Sequence, residues 1–204
     1  MNRGETVVFI VEVIAVLACA ISGFAEAQRK DMDLVGVYVV AFITAFGGGT
    51  LRDVLLDRRP FFWVEHEQYP IIILALTLVA TPLLRFAHRI IPNPVFVIAD
   101  AVGLAFFSII GVALALDNGM SPFVASMMGV VTGVFGGVLR DVLLNEVPLV
   151  LRDGRPYAIA AFLGCWLYLL MLQAGSSSDL ALWTAAAVTT GFRLLAWRYD
   201  WSIK

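Results

Sequence analysis

Gly48-Gly49-Thr50-Leu51-Arg52-Asp53-Val54-Leu55-Leu56 returns in the second half of the chain as Gly136-Gly137-Val138-Leu139-Arg140-Asp141-Val142-Leu143-Leu144. Eight of the nine positions are identical, with Arg52 answering to Arg140 at an offset of 88. The same ungapped offset pairs Glu12 with Asp100, Gly23 with Gly111, Thr44 with Thr132, Pro60 with Pro148 and Tyr69 with Tyr157. An agreement this long and this regular is an internal repeat. Its first copy spans residues 6–86, its second 94–174, and a further segment, 179–199, follows them.

Composition names the solvent of both copies. Hydrophobic residues make up 60% of the 204 positions and charged residues 15%, and the mean hydropathy is +0.88. A soluble domain of this size is far more polar, so the chain belongs in a bilayer. A spanning helix needs about 20 mostly apolar residues, and seven such runs appear: Val7 to Ala27, Leu34 to Leu56, Tyr69 to Phe86, Pro94 to Leu116, Pro122 to Leu144, Tyr157 to Leu172 and Leu180 to Trp197. The segments between them are rich in charge, Pro, Gly, Asn and Ser, including His88 to Asn93 between the copies. The first run is too long for the apolar core of a signal peptide and carries Glu12 within it. Its counterpart in the second copy is internal.

The expected fold is therefore an all-α membrane protein with seven transmembrane helices, built as two three-helix repeats plus a C-terminal seventh helix. Three spans is an odd number, so the second copy enters the membrane from the side opposite to the first, and the repeats are inverted. Permeation and substrate sites in such proteins tend to lie near the midplane, where the repeats meet. Lysine and arginine set the orientation. Arg3, Arg58 and Arg59 fall on one side; Arg29, Lys30, Arg85, Arg89, Arg152, Arg155, Arg193, Arg198 and Lys204 fall on the other. This asymmetry predicts an external N-terminus and a cytoplasmic C-terminus.

The polar residues inside the spans are the candidate site. Gly47-Gly48-Gly49 in the second span and Gly136-Gly137 in the fifth weaken a helix by about 1 kcal/mol per glycine relative to alanine. The expectation is that both helices unwind there, and that the freed carbonyls near Gly48 and Gly136 coordinate a dehydrated potassium ion in a watery cavity. Close helix packing is the competing use of such glycines. Arg52, Asp53, Arg140 and Asp141 follow within a turn or two, and a charge at that depth costs at least about 2.5 kcal/mol unless paired or hydrated. Neighbouring positions on a helix do not face each other. The expected pairs therefore cross the repeats, Arg52 with Asp141 or Asp100 and Arg140 with Asp53 or Glu12. Glu12 and Asp100 either line the pathway or accept hydrogen bonds from the arginines. Thr44, Thr50 and Thr132, with Ser22, Ser108 and Ser126, add hydroxyls to the conduit or bond their own backbone. Pro82 is expected to kink the third span.

Other classes find little support. The net charge of −2 and the scattered basic residues give no footprint for nucleic acid. Cys19 and Cys165 sit in apolar runs without a CxxC spacing, as small core residues do. No HExxH or GxSxG pattern accompanies His66 and His88, so an enzyme is not expected. Small residues on the first span (Ala15, Ala18, Gly23) and the fourth (Gly103, Gly111) offer faces for helix association.

The doubled Gly-Gly-x-Leu-Arg-Asp-Val-Leu-Leu motif, the inverted three-plus-three arrangement and the added seventh helix resemble the prokaryotic members of the TRIC family, the trimeric intracellular cation channels. The resemblance covers essentially the whole chain. It implies a homotrimer in an inner membrane, with one pore per protomer passing potassium and some sodium, no cofactor, and second and fifth helices kinked at the glycines. Animal members carry a lysine-bearing motif after the first glycine triplet that engages an inositol lipid; here Thr50-Leu51-Arg52-Asp53 stands in that place. That departure speaks against inositol-lipid gating and leaves another anionic lipid near Arg52 or Arg140 as the alternative partner. Phe135 occupies the position of Gly47 in the second copy. The same sequence family is also described as a glycine transporter group, which implies a rival function: alternating access for a small zwitterion held near Asp53 or Asp141.

Overall fold

A computed structural model describes residues 3–86, 91–152, 154 and 156–201. His88, Arg89, Arg155 and Lys204 lie outside the described residues, as do the side chains of Arg3, Arg85 and Arg152. In chain order the helices are α1 (Arg3–Arg29), α2 (Leu34–Leu55), α3 (Phe62–Glu65), α4 (Gln68–Phe86), α5 (Asn93–Asp117), α6 (Pro122–Leu143), α7 (Leu149–Arg152), α8 (Tyr157–Gln173) and α9 (Ser178–Arg198). Each of the seven expected runs is a helix, and α3 and α7 are one-turn additions. Among the described residues five helices, α1, α2, α5, α6 and α9, are long and apolar enough to cross a bilayer, and the apolar stretches of α4 and α8 are shorter.

Local chemistry explains the ends. Asp33 caps α2 by accepting from the Gly36 N–H at 2.7 Å, while Pro94 and Pro122 occupy first-turn positions where no N–H is needed. α2 and α6 stop in the same way. Asp57 and Asn145, equivalent positions of the two copies, adopt φ of 50° and 55°. This left-handed turn lets the next N–H reach back five residues, Arg58 to the Asp53 carbonyl and Glu146 to the Asp141 carbonyl, both at 2.8 Å. Asp and Asn are the side-chain-bearing residues that tolerate this conformation best.

α5 is the most buried of the long helices and packs on α1, α6, α8 and α9. The two copies meet through α1 against α5 and α2 against α6, with α4 leaning on α2 and α8 on α6. α9 fills the space beside α5 and α8. The outer face of α4 shows Ile71, Leu74, Leu78, Val79 and Leu83 exposed, a surface that lipid tails satisfy.

The glycines do not break their helices. α2 runs without interruption through Gly47-Gly48-Gly49, and α6 through Gly136-Gly137. The reason is helix contact. A Cβ on Gly48 would lie 2.0 Å from the Thr132 carbonyl oxygen, and one on Gly136 would lie 2.3 Å from the Thr44 carbonyl oxygen. The missing side chains let two backbones touch, and the packing stabilises helices that propensity alone disfavours. Pro82 sits inside α4, which continues to Phe86.

Candidate ion pathway and its two charge clusters

The contacts at the crossing fix the layout. Gly48 meets Thr132 while Gly136 meets Thr44, so α2 and α6 run antiparallel, and Arg52 and Arg140 lie beyond the crossing in opposite directions. At 1.5 Å per residue the two arginines are separated by roughly 18 Å along the bundle. α1 gives the same result, because Glu12 lies at the Arg52 level and Ser22 at the Arg140 level. That distance rules out the cross-repeat pairs expected from sequence.

Each arginine is instead held by its own neighbour. Arg52, 1% exposed, donates from Nε to Asp53 Oδ1 at 2.8 Å, with Nη2 2.7 Å from the same oxygen. The other oxygen of Asp53 accepts from the Phe62 N–H at 2.9 Å, at the start of α3, and the Phe62 ring lies 5.1 Å from the Arg52 guanidinium. Arg140 is fully buried and repeats the device. Its Nε donates to Asp141 Oδ1 at 2.8 Å, and Asp141 Oδ2 accepts from the Leu149 N–H at 2.8 Å, at the start of α7. The adjacent pairing works because the long arginine arm folds back over its own helix end while the carboxylate bridges to the following loop. Both Arg52 nitrogens thus share one carboxylate oxygen, which leaves the other for the loop N–H, and a bond between ionised partners is about twice as strong as a neutral one.

The ends then diverge. Arg140 Nη1 also donates to Asp100 Oδ1 at 2.9 Å and to Ser22 Oγ at 2.5 Å, whereas Arg52 makes no such ion pair with Glu12 among the described residues. The equivalent tyrosines serve both acids, Tyr69 Oη donating to Glu12 at 3.4 Å and Tyr157 to Asp100. Thr44 and Thr132 spend their hydroxyls on carbonyls one turn back, Val40 at 2.6 Å and Met128 at 2.7 Å. Thr50 accepts from the Trp63 indole at 3.0 Å. Among the expected site residues the structure thus gathers Arg52 with Asp53, and Arg140 with Asp141 and Asp100. It puts Gly48, Gly136, Thr44 and Thr132 at a closed contact between the two groups. The continuous helices also hold the carbonyls near Gly48 and Gly136, so the expected carbonyl cage for potassium is not formed.

A cavity of about 300 Å³ opens at the Arg140 end, with Glu26, Arg29, Asp100, Asp141, Glu146 and Arg193 in its wall. Arg193, by sequence a charge flanking the last span, turns inward. It is a buried residue of α9, 6% exposed, with its guanidinium 4.4 Å from the Tyr157 ring. Its place within an apolar run, four turns into the helix, was the available signal. Lys30 and Glu146 form an ion pair beside the cavity.

Comparison with known proteins agrees with this architecture. The sequence profile of the family described as glycine transporter matches residues 9–85 and again 97–173, the two matches starting 88 residues apart. The structure superposes on that of the TRIC trimeric intracellular cation channel orthologue from Rhodobacter sphaeroides with a TM-score of 0.86 and 34% identity, over 96% of this chain and 100% of that one. The chain belongs to the TRIC family. A second TRIC structure, of a prokaryotic channel in 0.5 M KCl, gives a TM-score of 0.87 at 28% identity, covering 96% of this chain and 98% of that one. Among bacterial relatives, a UPF0126 membrane protein of Vibrio cholerae is 38% identical, covering 97% of this chain and 82% of its own. The UPF0126 inner membrane protein YadS of Escherichia coli is 40% identical over 77% of this chain and 75% of its own. The TRIC structures described are of channels, and this chain is an all-helical membrane protein of the TRIC fold.

Proposed function

We propose that the chain is a monovalent cation channel of the bacterial inner membrane, passing potassium and some sodium, with a pathway inside each protomer of a homotrimer. The observation that carries this reading is the pair of buried Arg–Asp clusters at opposite ends of one bundle, separated by the α2–α6 glycine crossing. Glu12 at one end and the carboxylate left over where Asp100 and Asp141 share Arg140 at the other attract cations to each mouth. The crossing between them is the constriction, and conduction requires α2 and α6 to part there, since no carbonyl cage replaces an ion's water. Seven spans in two inverted repeats, with the N-terminus outside and the C-terminus in the cytoplasm, place the Arg140 end at the cytoplasmic face. Arg52 and Arg140 are themselves buried, so an anionic lipid headgroup near either mouth would meet the more exposed Arg58 or Arg29.

A second reading, transport of a small zwitterion such as glycine, is favoured by the double match to the glycine transporter family profile. Inverted repeats suit alternating access as well as a gated pore. Single-channel recording of the purified protein in a planar bilayer, under a potassium chloride gradient with and without glycine, separates the two. Unitary steps reversing near the potassium potential and indifferent to glycine are expected. Silent bilayers, with glycine accumulation by proteoliposomes of the same preparation, would move the assignment to a carrier.

A further inference from the structure

We propose that the cavity at the Arg140 end binds a compact zwitterion, its oxyanion taken by Arg193 and its ammonium group by Asp100 and Asp141. Although Arg193 is buried, its Nε and Nη1 have no hydrogen-bond acceptor among the described residues, and its contact with Tyr157 is to the face of a ring. A buried donor left unmatched is costly, and a guanidinium fork is shaped for a carboxylate or phosphate.

The remaining charges of the wall show why a simple anion does not suffice. Glu26 is paired with Arg29 at 2.5 Å, and Glu146 with Lys30. Arg140 is a single cation shared by two carboxylates, Asp100 at 2.9 Å and Asp141 at 2.8 Å. One negative charge is therefore left over on that wall, and Arg193 forms no ion pair with it among the described residues. The cavity carries an excess anion on one side and an excess cation on the other. A lone cation or a lone anion satisfies one wall and leaves the other unmatched, whereas a molecule bearing both charges satisfies both. A volume of about 300 Å³ holds such a molecule with a few waters.

Arg193 also lies outside both stretches matched by the family profile, 9–85 and 97–173. The oxyanion-binding half of the site is thus supplied by α9, the helix added to the repeats, which makes the two ends of the bundle chemically unequal. This inference deepens the zwitterion reading by assigning the site and its residues. Its test measures binding, not flux, so the site stands or falls separately from transport.

The experiment is calorimetric titration of the purified protein in nanodiscs of phosphatidylglycerol with glycine, O-phosphoethanolamine, acetate and methylammonium. A parallel thermal unfolding series compares discs of phosphatidylglycerol with discs containing phosphatidylethanolamine. A soluble zwitterion is expected to bind at least tenfold more tightly than acetate or methylammonium. Arg193→Gln should weaken it at least tenfold, Arg193→Lys should do so less, and Arg198→Gln at the end of α9 should leave it unchanged. If the soluble zwitterions are inert, but phosphatidylethanolamine raises the unfolding midpoint in the parent protein and not in Arg193→Gln, the occupant is the lipid headgroup. Arg193→Lys keeps the charge and serves as the folded comparison should Arg193→Gln not fold. Acetate binding as tightly as glycine, variants at Arg193 binding like the parent, or no effect in either series overturns the assignment.

Discussion

Gly48 sets how closely α2 can approach α6, and a single methyl group there is in conflict with backbone, which cannot rotate away. With a Cβ 2.0 Å from the Thr132 carbonyl oxygen, Gly48→Ala must push the two helices apart. Overpacking of this kind costs about 1–3 kcal/mol. Gly191→Ala is the control, because a Cβ on Gly191 of α9 has no neighbour within 4 Å and alanine favours a helix by about 1 kcal/mol. Thermal unfolding in detergent should show a lowered midpoint for the first and an unchanged or raised one for the second; a Gly48→Ala midpoint equal to that of the parent would remove the crossing from the account. The glycines were legible in the sequence as special, but their use was not. Sequence reports that a backbone is bare and leaves open whether it is bare for unwinding or for contact, and only the partner at Thr132 and Thr44 decides. The same gap explains the arginines: positions 52 and 53 point in different directions on a helix wheel, yet the reach of arginine and the approach of the α3 loop bring them together.

The helices themselves were readable because lipid demands a length and an apolarity that few other constraints impose. Leu34 to Leu56 and Pro122 to Leu144, as expected from sequence, differ by one residue from the α2 and α6 observed. The one-turn helices α3 and α7 were not readable. Four residues carry no periodicity, and each begins where a buried carboxylate accepts its first N–H, Asp53 for Phe62 and Asp141 for Leu149. This dependence is testable at the level of the element. Asp53→Ala removes a charge-assisted bond worth about 1.5–3 kcal/mol, so amide exchange across Phe62–Glu65 should accelerate by roughly 10- to 100-fold, at 1.4 kcal/mol per decade. Exchange across α7, served by Asp141, should stay as it was. Uniform acceleration in both segments would mean that Asp53 acts on the whole fold and not on the start of α3.

The number of helices that cross the bilayer turns on α4 and α8, whose apolar stretches are shorter than those of the other five long helices. The two topologies differ in a single measurable relation. If α4 and α8 cross, α1, α2, α4 and α5 make four passes, which leaves Asn118, just after α5, on the N-terminal side; three more passes put Tyr199, just after α9, on the opposite side. If α4 and α8 lie on the surface, Asn118 follows three passes and Tyr199 five, so both fall on the side away from the N-terminus. Both residues are exposed, and the two native cysteines, Cys19 and Cys165, are buried, so single cysteines introduced at these positions report without interference. The inverted-repeat reading, with its odd number of spans per copy, requires that Asn118→Cys be labelled in intact cells by a membrane-impermeant maleimide and that Tyr199→Cys be labelled only after lysis. Labelling of both on the same side would reduce the bundle to five spans. It would also make the two copies parallel, because each would then cross twice, and the antiparallel meeting of Gly48 with Thr132 and of Gly136 with Thr44 would contradict that arrangement directly. The contact pattern at the centre of the bundle and the labelling pattern at its ends therefore test the same topology from two independent directions.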